Sequence, residues 1–128
     1  MGAVSPLAGK PILIVDDEIL VAMHLGALFE EAGAKAFPAT DCEQAFAILE
    51  QQPWAGAVLD WALDFEHTDP ICEWLVPGAI PFIIYTGHAQ ISPICKRGTV
   101  VPKTASAEGV VVLMKDLLAS PIGKALEH

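Results

Sequence analysis

Acidic residues follow short apolar runs at two places in the sequence. The stretch ILIVDDE, residues 12 to 18, ends in three acids, and Asp60 follows the apolar run 57 to 59. Carboxylates that meet within a few ångströms repel one another and raise each other's pKa unless a cation neutralises them. All-oxygen ligation by few protein groups suits octahedral Mg²⁺, and no His or Cys stands at these two positions to favour zinc. The acids therefore predict a Mg²⁺ site if the fold brings them together.

A hydroxyl and an ammonium group stand in the same relation to two later apolar runs. Thr86 follows the run 81 to 85, and Lys103 follows the run 99 to 101 after one proline. A metal ion, a hydroxyl and a lysine around one carboxylate supply what phosphoryl transfer requires, because its transition state spreads negative charge over peripheral oxygens. Asp60 is then the candidate nucleophile and phosphate carrier.

The elements that must position these residues alternate between short apolar runs and helix-like segments, five times over. This alternation predicts an α/β fold, and runs without polar interruption are expected where helices cover both faces of a parallel sheet. In a sheet of order 2-1-3-4-5, strands one and three flank the switch point, where ligands bind beyond the carboxyl ends. The predicted strands are Ile12 to Val15, Ala34 to Ala39, Ala57 to Leu59, Pro81 to Tyr85 and Thr99 to Val101.

Three helices are predicted between the first four strands. Apolar spacing indicates a first helix over 21–32 and a second over 41–52, the latter begun by a capping box at Thr40. Asp69 is expected to be the N-cap of a third helix over 70–76, since Pro70 suits the first helical position.

The last two helical segments differ in strength. Ser92-Pro93 interrupts the segment 88–96, which predicts a short or irregular fourth helix. Ser106 is a suitable cap for the last helix, whose apolar face includes Leu113 and Leu117. The β-branched run Val110 to Val112 leaves a sixth strand open as the alternative.

Length and composition bound the function. The 128 residues fit one domain, 53% of them are hydrophobic, and the formal net charge of −9 argues against direct DNA binding. Every apolar run is too short to span a membrane. We expect a flexible lead-in over 1–9, the domain over 10–120 and a tail over 121–128 that includes a purification-tag remnant at 126–128. Three cysteines without a CxxC pair fit packing residues in a reducing cytoplasm.

Four blocks carry a family resemblance over residues 10 to about 119. ILIVDDE, AVLDWAL, FIIYTGH and VVPKT resemble the signature blocks of the bacterial two-component response-regulator receiver domain, of the stand-alone type. The resemblance implies a flavodoxin-like (βα)₅ sandwich with strand order 2-1-3-4-5. It also implies that Asp60 accepts a phosphoryl group from a phosphohistidine of a sensor histidine kinase or phosphotransfer protein, or from a small phosphodonor. Such a protein catalyses its own phosphorylation and dephosphorylation and is not a conventional enzyme.

The same resemblance assigns the other site residues. Asp17, Asp60 and the backbone carbonyl of Ala62 would bind Mg²⁺, or Mn²⁺ in its place, with Asp16 acting through water. Thr86 and Lys103 would hold the phosphoryl oxygens. Movement of Thr86 toward the phosphate would then repack the face between the fourth strand and the fifth helix. A downstream protein would read that face, and a weak homodimer could form through it in place of a monomer.

Several residues around the site depart from the family pattern. Val100 stands where receivers usually carry a switching aromatic, and Thr104 stands where they usually carry a proline after a cis peptide, so we predict a trans bond there. Gly87 leaves room beside Thr86, and His88 is a candidate for tuning dephosphorylation. The alternative is a degenerate receiver that binds a protein constitutively without a working switch.

Overall fold

Five parallel strands form a single sheet in the order β2-β1-β3-β4-β5 in the computed structural model, which describes residues 5–119. The predicted fold class and strand order are confirmed. The strands are β1 (Pro11–Val15), β2 (Lys35–Ala39), β3 (Gly56–Leu59), β4 (Phe82–Thr86) and β5 (Thr99–Pro102). The helices are α1 (Ile19–Glu31), α2 (Cys42–Leu49), α3 (Asp69–Leu75) and α4 (Ala107–Leu118). None of these helices is long and apolar enough to cross a membrane.

Each face of the sheet has its own core. Along β1, Leu13 and Val15 pack with α2 and α3, whereas Ile12 and Ile14 pack on the opposite face with α1 and α4. All four side chains are at most 1% exposed. Burial on both faces explains why β1 reads as a continuous apolar run and does not alternate.

Helix α2 begins one residue later than the capping box predicted, and it ends at Leu49 and not at 52. Asp41 is the N-cap and its carboxylate accepts from the backbone N–H of Gln44 at 2.8 Å. The amide oxygen of Gln44 accepts in return from the N–H of Thr40 at 2.9 Å. Thr40 and Asp41 are both residue types that can cap a helix. The two hydrogen bonds of Gln44, one to the Asp41 carboxylate and one from the N–H of Thr40, favour Asp41 as the N-cap.

Asp69 is the first residue of α3, so its predicted role as N-cap is wrong. Thr68 occupies that position without a side-chain cap, because its hydroxyl donates to the carbonyl of Asp60 at 2.8 Å. The Asp69 carboxylate accepts hydrogen bonds from other segments of the chain.

The segment after β4 is irregular, as the proline predicted. It contains a 3₁₀ turn at Cys95–Arg97, so the C-terminal helix is the fourth α-helix of the described chain. That helix follows Ser106, whose hydroxyl accepts from the N–H of Gly109 at 3.0 Å, as expected for its cap. The run Val110 to Val112 is helical, which excludes the sixth strand considered as the alternative.

Residues 5–9 were expected to belong to a flexible lead-in, but they form a packed turn. Leu7 is fully buried among side chains of the α1 and α4 face. The N–H of Gly9 donates to the carbonyl of Gly33 at 2.8 Å, and Gly9 adopts a φ of 72° that suits glycine. The remainder of the lead-in, 1–4, and the tail 121–128 with its expected tag remnant lie outside the described residues.

Candidate functional site

The acids after β1 and β3 meet at one edge of the sheet. Val15 and Leu59 are register partners, and the N–H of Asp60 donates to the carbonyl of Val15 at 2.9 Å. One carboxylate oxygen from each of Asp16, Asp17 and Asp60 lies within 4.8 Å of the others. The structure therefore brings together the three acids from which the sequence predicted a cation site.

Lys103 reaches this cluster from the end of β5. Its Nζ lies 2.8 Å from Oδ2 of Asp16 and 3.2 Å from Oδ2 of Asp60, with Glu18 at 4.0 Å. The backbone N–H of Lys103 donates to the carbonyl of Thr86 at 2.9 Å, which fixes the backbone from which the lysine side chain extends. No cis peptide bond occurs in residues 5–119, so the predicted trans bond before Thr104 is confirmed.

The pKa values of Asp16, Asp17 and Lys103 are all raised, so the site favours the protonated, more positive form of each group. Burial raises the pKa of Asp16 despite its hydrogen bond from Lys103. Burial, together with the neighbouring carboxylates of Asp64 and Asp16, raises the pKa of Asp17 to about 6. Burial alone would lower the pKa of Lys103, but the hydrogen bonds and charges of Asp16 and Asp60 together outweigh burial, and the pKa is raised.

The donor set fits a hard divalent cation. Oδ1 of Asp60 is buried and has no hydrogen-bond partner among the described residues, so a lone pair is free inside an anionic site. One ammonium group from Lys103 faces three carboxylates in this cluster. Oxygen ligands with negative charge are those that Mg²⁺ and Mn²⁺ prefer. The residues that could hold such an ion are Asp16, Asp17 and Asp60. Ala62, whose backbone carbonyl was expected to be a further ligand, forms a β-bridge with His67.

Thr86 ends β4 and is 1% exposed. Its Oγ1 accepts from the N–H of His88 at 3.3 Å. An open groove of about 310 Å³ lies beside it, and its lining includes Gly87, His88, Val100 and Lys103. A Cβ built on Gly87 would meet no atom within 4 Å, so the space beside Thr86 is open. The groove thus contains every residue that the sequence proposed for switching or tuning.

Thr68 and Asp69 were not predicted as site residues. Fully buried Thr68 holds two adjacent backbone carbonyls: its hydroxyl donates to the carbonyl of Asp60 at 2.8 Å, and its backbone N–H donates to the carbonyl of Trp61 at 2.9 Å. Oδ1 of Asp69 accepts from Nε1 of Trp61 at 2.9 Å and from Oγ of Ser92 at 2.9 Å. In the sequence, Asp69 and Pro70 indicated only the start of a helix. No local sequence pattern reveals that the Asp69 side chain has a partner, Ser92, that lies 23 residues away.

Comparisons with known proteins identify the fold. No protein-family model matches the chain, and no curated protein sequence matches it. Solved structures of response-regulator receiver domains match most of it. A CheY-like receiver domain protein from Methanospirillum hungatei JF-1 is 20% identical over 91% of this chain and 99% of its own, with a TM-score of 0.79.

Two further structures extend this likeness. SdrG from Sphingomonas melonis Fr1 is 27% identical over 84% of this chain and 96% of its own, with a TM-score of 0.69. TrrA from Thermotoga maritima, solved in complex with Mg²⁺ and BeF, is 18% identical over 84% of this chain and 98% of its own, with a TM-score of 0.72. The chain therefore has the fold of these receiver domains over nearly all of its described length.

Proposed function

We propose that this protein is a phosphoacceptor of a two-component phosphorelay, phosphorylated on Asp60 in a Mg²⁺-dependent reaction. The observation that carries the proposal is the contact of Lys103 with both Asp16 and Asp60 at the carboxyl edge of a receiver fold. This contact supports the proposal because the carboxylate that would act as the nucleophile, Asp60, and one carboxylate of the proposed cation site, Asp16, both lie within hydrogen-bonding distance of the same ammonium group.

The reaction follows from these residues. A carboxylate oxygen of Asp60 attacks the phosphorus of a phosphohistidine, an O–P bond forms, and the P–N bond breaks as the imidazole leaves with the electron pair. Bound Mg²⁺ would neutralise charge on the phosphoryl oxygens. Lys103 and the hydroxyl of Thr86 would hold the remaining oxygens, which requires Lys103 to give up part of its present contact with Asp60. Attack by water on phosphorus later releases phosphate and restores Asp60.

Exposed apolar side chains near the site favour a protein as the phosphodonor. Ile19, Leu20 and Met23 begin α1 directly after the acids and are 51%, 77% and 59% exposed. Phe65, in the loop after β3, is 99% exposed and borders a pocket that Asp17 also lines. A sensor histidine kinase or phosphotransfer protein that covered these side chains would bury apolar surface while its phosphohistidine entered the site. We place this exchange in the cytoplasm, where the three free cysteines would stay reduced.

Two features favour a second candidate, a receiver that binds its partner constitutively. Val100 supplies no aromatic side chain beside Thr86, and the segment after β4 contains a 3₁₀ turn where a regular (βα)₅ sandwich has an α-helix. Such a module would keep the fold without a phosphate-dependent change.

A phosphoryl mimic separates the two candidates. We expect Mg²⁺ with beryllofluoride to shift the backbone amide resonances around Asp60, Thr86 and Lys103 in the wild type. Asp60→Ala should show no such shift, because the mimic needs the carboxylate. An unresponsive wild type would favour the constitutive module.

His88→Ala is expected to shorten the lifetime of the acyl phosphate several-fold. The exposed imidazole lies beside the groove next to Thr86 and makes an edge contact with Trp61, with ring centroids 5.6 Å apart. Its removal would widen the path of water to the phosphoryl group. Release of inorganic phosphate from the loaded protein measures the lifetime. His24→Ala, on the exposed side of α1, is the control, and equal lifetimes in all three proteins would exclude a tuning role for His88.

A further inference from the structure

Trp61 occupies an unusual position between two imidazole rings. Its indole stacks on His67 with ring centroids 4.1 Å apart and planes 3° from parallel. On another side it meets His88 at 5.6 Å and 76°. Since Trp61 directly follows Asp60, any shift of either imidazole acts on the residue next to the nucleophile. Such paired aromatic contacts stabilise one orientation of the ring.

The polar edge of Trp61 is tied to a different part of the chain. Its Nε1 donates to Oδ1 of Asp69 at 2.9 Å, and the same oxygen accepts from Oγ of Ser92 at 2.9 Å and from Sγ of Cys95 at 3.5 Å. The Asp69 carboxylate therefore joins the site to the irregular segment after β4, which this chain has in place of a regular helix. Cys95 begins the 3₁₀ turn of that segment and is fully buried.

The ring is also connected to the groove beside β4. His88, whose imidazole makes a T-shaped contact with the indole, donates its backbone N–H to Oγ1 of Thr86. If that hydroxyl turns to a phosphoryl group on Asp60, it gives up its bond to the backbone of His88. The imidazole is then free to shift against Trp61. Val100, 45% exposed on β5, offers no aromatic ring for the same purpose.

We propose that Trp61 is the positioning residue that couples the phosphoryl site to residues 92–97, through Asp69, Ser92 and Cys95. The coupling rests on the proposed function of Asp60. A change at Thr86 and His88 tilts the indole and so alters the hydrogen bond from Nε1 of Trp61 to Asp69. The hydrogen bonds that Asp69 accepts from Ser92 and Cys95 then break or form again. The segment 92–97 then changes its conformation and its surface. A two-state response of this segment is what distinguishes coupling from mere proximity.

Backbone amide spectra of the whole protein test the coupling. Trp61→Phe keeps an aromatic ring against both imidazoles and removes the Nε1 donor, whereas Trp74→Phe, at a surface position of α3, is the matched control. With Mg²⁺ and beryllofluoride, wild type and Trp74→Phe should show shifts near Asp60 and Lys103 and also over 92–97. Trp61→Phe should keep the first set and lose the second. Ser92→Ala, which removes a donor to Asp69 from the other side, should lose the shifts over 94–97 as well.

The outcomes separate the coupling from the function on which it rests. If Trp61→Phe responds over 92–97 as the wild type does, the coupling is overturned. A wild type that responds near Asp60 but not over 92–97 also overturns it and leaves the proposed function intact. A wild type that responds nowhere overturns both. If Trp61→Phe does not fold, Ser92→Ala tests the coupling in its place, and shifts over 94–97 that persist in it overturn the coupling. Ser92→Ala should fold, because losing a half-buried hydroxyl disturbs the structure less than replacing the indole.

Discussion

Asp17→Ala is expected to weaken Mg²⁺ binding by more than about 100-fold, since loss of groups that merely orient ligands already costs about 10- to 100-fold. Asp17 is less buried than Asp16, lies within 4.8 Å of the other two carboxylates, and has a pKa raised to about 6. These properties fit a direct ligand that is repelled by its neighbours until a cation arrives. Titration calorimetry with Mg²⁺ measures the affinity, and phosphorylation of Asp60 should fall with it.

Asp64→Ala is the matched control for this variant. It removes one negative charge next to Asp17 from an exposed loop position. An exposed charge of this kind contributes about 1 kcal/mol at most, so Mg²⁺ affinity should fall by no more than about fivefold. Equal losses in Asp17→Ala and Asp64→Ala would mean that Asp17 acts through general charge and is not a ligand. Both variants should fold, because β1 is held by its apolar side chains.

Lys103→Met is expected to have opposite effects on stability and on Mg²⁺ affinity. Its Nζ contacts Asp16, which is 2% exposed, and Asp60, which is 8% exposed. Removing it leaves these carboxylates without their ammonium partner, which should lower the free energy of unfolding by about 2 kcal/mol in Mg²⁺-free buffer. Mg²⁺ should bind more tightly than to wild type, because it no longer competes with Nζ for the carboxylate oxygens. Phosphorylation should nevertheless be strongly impaired, since the proposed reaction uses the ammonium group to stabilise the transferred phosphoryl oxygens.

Urea unfolding at several Mg²⁺ concentrations measures both effects of Lys103→Met. The stability deficit should shrink as Mg²⁺ is added, because the ion stabilises the folded state and is expected to bind folded Lys103→Met more tightly than folded wild type. Lys96→Met, at an exposed position in the 3₁₀ turn, controls for the exchange of lysine for methionine. A stability deficit that does not depend on Mg²⁺ would show that Lys103 is structural and does not share ligands with the cation.

The strands could be predicted because burial on both faces imposes a simple pattern. Ile12, Leu13, Ile14 and Val15 are all apolar since each faces one of the two cores. Helix ends were harder to predict, because adjacent residues compete to cap. The burial of Leu7 could not be predicted from a lone leucine in a short segment that contains proline and glycine. The turn that includes Leu7 is joined to the turn after α1 by the hydrogen bond from the N–H of Gly9 to the carbonyl of Gly33.

The meeting of the site residues could be predicted for a topological reason. Asp16, Asp60 and Lys103 each follow a parallel strand, Thr86 is the last residue of one, and the carboxyl ends of parallel strands share one edge. The contacts of Thr68 and Asp69 follow from the path of a loop and not from any strand, so neither periodicity nor spacing indicates them. The stacking of His67 on Trp61 escaped prediction for the same reason, since a histidine in an acidic loop resembles a solvated surface residue.

Intact-protein mass spectrometry after incubation with Mg²⁺ and acetyl phosphate tests the central claim most directly. The wild type should gain the mass of one phosphoryl group, the gain should require Mg²⁺, and Asp60→Ala should show none. Equal incorporation in Asp60→Ala, or no incorporation in a wild type that binds Mg²⁺, would contradict the assignment of Asp60 as the phosphoacceptor.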